Sequence, residues 1–141
     1  MKGLNNLIRM HKWKLDEKRR ELSDMEALRD EFSQQVDQLG LAHAREQQIA
    51  AEIPEVNFSY ANFAIASRQQ QENLAQSIAE IAGKIDMLSE EVADCFQELK
   101  KYEIVQDMRE KKQKIAADRT AQIEQDDLAI DMYRRKRIEQ G

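Results

Sequence analysis

The chain has 141 residues, of which 35% are charged and 6% aromatic, with four Gly, one Pro and one Cys. This is the composition of long polar helices and not of a layered globule. A formal net charge of -5 speaks against general nucleic-acid binding, and the single cysteine excludes an internal disulfide or a multi-cysteine metal site.

The first predicted element is a helix from about Leu4 to about Glu52. With a placed at residue 8, a heptad seam puts Met1, Ile8, Leu15, Leu22 and Val36 at a, and Leu4, Met25, Phe32 and Leu39 at d. His11, Lys18 and Arg29 are its polar exceptions. The turn follows at 53–59, because Pro54 disfavours helical geometry at Ile53 and Asn57 or Ser59 can cap what comes next.

The second predicted helix has no breaker before Gly141. With a at residue 78, its seam places Ile78, Ile85, Val92 and Leu99 at a, and Leu74, Ile81, Leu88, Cys95 and Tyr102 at d. The pattern fails at Gln106 and Arg109. If the turn is centred near residue 55 or 56, residue i lies opposite about 111 minus i, so the two seams face each other. The fold class is therefore all-α: two long helices in an antiparallel coiled-coil hairpin forming a single domain, with the C-terminal helix overhanging beyond about residue 108. In the overhang the apolar content thins to Ile115, Ile123, Ile130 and Ile138.

The same register brings Lys18 near Glu91 and Asp94, and Arg29 near Glu80 or Asp86. Each of these charges either pairs across the seam or extends past its neighbours to solvent. Gly40 and Gly83 sit inside helical pattern, where they cost about 1 kcal/mol each relative to alanine without ending the helix. Cys95, at a d position, reads as a small buried hydrophobe.

Chemistry is sparse. His11 and His43 lie far apart on one helix, and no phosphate loop, nucleophile elbow or HExxH spacing occurs. No catalytic, metal-binding or cofactor-binding residue is expected, and the chain is not expected to be an enzyme. No run of about 18 apolar residues marks a membrane span, and the opening residues do not form a secretory signal, so the cytoplasm is the expected compartment.

Binding features are richer. Trp13 falls at an outward f position with Met10 one turn earlier, surrounded by Arg9, Lys12 and Lys14. Arg109, Lys111, Lys112 and Lys114 extend a basic collar at the open end. Trp13 either anchors an interface or lies flat on the second helix against Ile104. Charge is uneven: residues 1–20 hold seven basic and two acidic side chains, and residues 133–141 hold four and one. At the turn, Phe58, Tyr60 and Phe63 cluster, either packed against Ile49 and Ile53 or offered in part to a partner.

The opening Leu4, Leu7, Ile8 and Arg9, with Lys12, Leu15 and the run Asp16-Glu17-Lys18-Arg19-Arg20-Glu21-Leu22, resembles the start of the FliJ family of flagellar export proteins. That family is related in role to the YscO-type stalk proteins of type III secretion. The basic stretch Tyr133-Arg134-Arg135-Lys136-Arg137 is similar in kind to the family's basic end. The resemblance implies a stalk or adaptor, peripheral to the inner-membrane export apparatus, that inserts its open end into the ring of the export ATPase. It also implies contacts with the cytoplasmic domain of the export gate and with export chaperones, and a chain that is monomeric when alone.

Carried onto this sequence, the implied ATPase surface is Arg9, Met10, Lys12, Trp13, Arg19 and Arg20 with Lys111, Lys112 and Lys114. The implied gate surface lies near the tip, at Leu39, His43, Phe58 and Phe63. The acid-rich stretch 124–131 departs from what the family leads one to expect. The alternative reading is a self-associating structural coiled coil.

Overall fold

The structure, a computed structural model, describes residues 2–140, apart from the side chains of residues 56 and 57. It is all-α: helix α1 (Lys2–Glu52), one 3-10 turn (Pro54–Val56) and helix α2 (Asn57–Gln140). No strand occurs among the described residues. Met1 at its a position and the cap expected of the Asn57 side chain lie outside what is described.

The turn is tighter than the sequence implies, and Pro54 supplies the reason. Ile53 closes α1 by donating its N–H to the Ile49 carbonyl at 2.9 Å. Pro54 then opens the 3-10 turn, where its missing N–H leaves no helical bond unmade. Because α2 starts at Asn57, Ser59 sits inside the first turn and not at its cap.

Contacts divide the chain into two compact units, one of Met1–Met10 with Gln97–Gly141, the other of His11–Phe96. In the second unit every a and d position of α1 is withdrawn from solvent, from His11 and Leu15 through Lys18, Leu22, Met25, Arg29, Phe32, Val36, Leu39, His43 and Glu46 to Ala50, with Glu17 and Leu28 half-buried beside them. Their α2 counterparts at a and d are Tyr60, Ala64, Ser67, Gln71, Leu74, Ile78, Ile81, Ile85, Leu88, Val92 and Cys95, with Ser77 and Glu91 half-buried beside them. The seam thus continues to the turn, past the point where its apolar residues end. Around the turn it is built from small and polar side chains.

In the other unit, Leu4, Leu7 and Ile8 are matched by Leu99, Tyr102 and Gln106. Gln106, where the apolar pattern stops, is half-buried and its side-chain amide donates to Asn5 Oδ1. Every described residue from Asp107 to Gln140 is exposed.

The buried apolar residues are Ile8 and Leu99 in one unit and Leu15, Ala50, Ile81 and Cys95 in the other, and burying a Leu or Ile fully is worth about 1.5–3 kcal/mol. Cys95 is buried and unbridged, as its d position implies. Both helices run through Gly40 and Gly83, and a Cβ added at either would meet nothing within 4 Å.

Candidate functional site: exposed basic and aromatic side chains

Trp13 is 65% exposed. The heptad explains this, since an f position points away from the seam that holds Leu15 and Lys18. Of the two readings of this residue, the outward anchor is the one its exposure fits. Lys12, Lys14, Arg19 and Arg20 are exposed within the same unit, and Arg20 donates to Glu17 Oε1 at 2.8 Å along the helix.

Arg9, half-exposed Met10, and Lys111, Lys112 and Lys114 belong to the other unit, all turned to solvent. The residues expected to bind the ATPase are therefore accessible in each unit taken by itself.

Lys18 occupies a d position yet remains charged. Its ammonium lies 2.9 Å from Glu91 Oε2 across the seam and 3.5 Å from Glu21 Oε2 one turn along. Hydrogen bonding to Glu91 is the main cause that raises its pKa above the usual lysine value, partly opposed by desolvation and assisted by the charge of Glu21.

Arg29 behaves differently from the expectation of a cross-seam partner at Glu80 or Asp86. Its Nε sits 3.5 Å from Asp30 Oδ1, its own neighbour in sequence. A long side chain at a can bury its stem and carry its guanidinium out to the rim.

Of the four residues expected to face a partner at the tip, Leu39 and His43 lie in the seam, half-buried against α2. His43 receives both nearby rings: Tyr60 Oη is 3.2 Å from its Nε2, and Phe63 stacks on it with centroids 6.2 Å apart and planes at 28°. Ile49 and Ile53, expected to take these aromatics, are 40% and 46% exposed. Phe58, by contrast, is 85% exposed.

Leu41 and Ile65 are among the exposed apolar side chains that the heptads do not single out. Leu41, at f, is 62% exposed and Ile65 70% exposed. Phe58, Ala61 and Ile65 recur at i, i+3 and i+7, which puts them on one outer stripe of α2. The signal was available as an apolar residue at b, one step away from the a position that draws attention.

Among the described residues no cluster of three or more His, Cys, Asp or Glu could hold a metal ion, and no helix is long and apolar enough to cross a membrane. No protein-family model, no curated relative and no solved structure matches the chain.

Proposed function

We propose that this chain is a helical adaptor of the flagellar type III export apparatus, working in the cytoplasm at the inner-membrane export gate and contacting the export ATPase. The reading rests on the resemblance of its first turns to the FliJ family. The observation that carries it is Trp13, an aromatic 65% exposed with Lys12 and Lys14 beside it. A large apolar ring has little reason to stay in water on a helix that already has a packed face, unless a partner covers it.

In this reading Arg9, Met10, Lys12, Trp13, Arg19, Arg20, Lys111, Lys112 and Lys114 meet acidic and apolar surface on the ATPase ring. The tip region of Leu39, His43, Phe58 and Phe63 meets the cytoplasmic domain of the gate, with Phe58 making the direct contact. Export chaperones are further partners.

Adding the chain to the export ATPase of the same cell should raise ATP turnover or promote ring assembly, and no effect in either assay removes the proposal. Reversing charge at Lys12, Arg19 and Arg20 should weaken binding and flatten its dependence on salt, because exposed charges act through a screened field.

A further inference from the structure

Residues 107–140 are exposed on every side, and most of their large apolar residues share one face, with Leu128 and Met132 lying off it. Ile104, Met108, Ile115, Ile123 and Ile130 are 57%, 65%, 54%, 60% and 50% exposed. Their successive spacings of four, seven, eight and seven do not keep heptad register. They fit a period of about 3.67 residues per turn, that of a right-handed supercoil, which keeps these five near one face. On that period all five fall within about 35° of one line, and Val105, Tyr133 and Ile138 flank it. The stripe does not continue the heptad seam that Gln106 closes.

The charges on and around this face come in blocks. Arg109, Lys111, Lys112 and Lys114 form a basic block, Glu124, Asp126, Asp127 and Asp131 an acidic one, and Arg134 to Arg137 a second basic one. A parallel in-register copy would set each block against its own sign. An antiparallel copy centred on Arg119 does the opposite, matching Met108 with Ile130 and Ile115 with Ile123 while bringing the first basic block onto the acidic block. Lys112 then stands level with Asp126, Lys111 with Asp127 and Lys114 with Glu124, while Asp131 is level with Asp107 and within a turn of Arg109. A two-fold arrangement satisfies both such matches at once and closes, whereas a staggered parallel one leaves a block open at each end.

We propose that α2 pairs with a second copy of this chain through residues 104–134, antiparallel about a two-fold axis at Arg119. The overlap is about 45 Å long at a helical rise of about 1.5 Å per residue. It departs from the expectation of a lone monomer, and it explains why a helix polar on most of its surface carries this apolar line. Arg119 meets its own copy at the axis, a like-charge contact that holds the dimer weak and reversible. Lys111 and Lys112 are covered in the dimer, so pairing competes with any partner that reads those lysines.

The full chain carrying Cys95→Ala, with single cysteines introduced and copper-phenanthroline as oxidant, tests the geometry. Arg119→Cys should cross-link to itself. Met108→Cys and Ile130→Cys should each fail alone but cross-link when mixed. Self-cross-linking at all three positions means a parallel pair and overturns the proposal, as does a strict monomer by sedimentation of the unmodified chain at several hundred micromolar.

A charge test uses no cysteine. Chains with Arg109, Lys111 and Lys112 changed to Glu, and chains with Asp126, Asp127 and Asp131 changed to Lys, should each be monomeric, and their mixture should form a heterodimer at least ten-fold tighter than either homodimer. Equal association in all three samples also overturns it. Circular dichroism on every variant confirms that the helices are retained.

Discussion

At the scale of residues, this chain is held by few side chains, and each therefore matters. Leu15 is 4% exposed in a narrow seam of a and d residues. Leu15→Ala should cost about 2–3 kcal/mol, at the low end for buried leucines because a two-helix seam can partly close around the gap, and urea denaturation followed by circular dichroism would measure it.

Lys18 makes a different prediction. Its raised pKa stabilises the fold fully below the ordinary lysine value of 10.5, and that contribution is lost as pH rises through the still higher folded value. Thermal stability should therefore fall more steeply above pH 10.5 in the natural chain than in Lys18→Met. Lys18→Glu should lower the melting temperature, and Glu91→Lys added to it should restore part of the loss.

The Lys18–Glu91 pair was legible in the sequence because two seam positions fix which turns meet. Arg29 was not, since its reach lets it choose a partner at the rim, and Asp30 is the nearer one.

At the scale of elements, both helices exist for reasons the pattern states plainly: heptads along α1 and along α2 as far as Gln106, a single proline, and no other breaker. Their hidden part is the stretch near the turn. A hydrophobicity pattern stops at Leu39 and Leu74, yet the register continues through His43, Glu46 and Ala50 against Tyr60, Ala64 and Ser67. Heptad geometry outlasts the apolar residues that reveal it, because a helix already docked keeps presenting the same face. Small and polar contacts hold this end, so it should be the weaker one. Amide exchange is expected to be faster at 43–50 and 60–71 than at 78–92, and equal protection would contradict that.

Gly40 and Gly83 lie in helical backbone with open space where a Cβ would be. Gly40→Ala and Gly83→Ala should each raise stability by about 1 kcal/mol, read from denaturant midpoints. A loss would mean that the backbone at that glycine departs from helical geometry.

At the scale of the whole molecule, the balance of buried and exposed surface points outward. The chain commits its packed face to a narrow stripe and leaves Trp13, Phe58, Leu41, Ile65 and the apolar line of the C-terminal residues to solvent. Surfaces for binding need only be exposed, chemically distinct and held in place by helices, and these meet all three conditions.

The chain has one tryptophan, and it is the residue on which the proposed ATPase contact turns. Replacing it biosynthetically with 5-hydroxytryptophan lets Trp13 be excited apart from any tryptophan of the ATPase. Titration with the export ATPase should move its emission to shorter wavelength and protect it from acrylamide quenching, with the change lost in the Lys12, Arg19 and Arg20 charge-reversal variant. An emission and quenching rate unchanged at saturating ATPase would contradict the account.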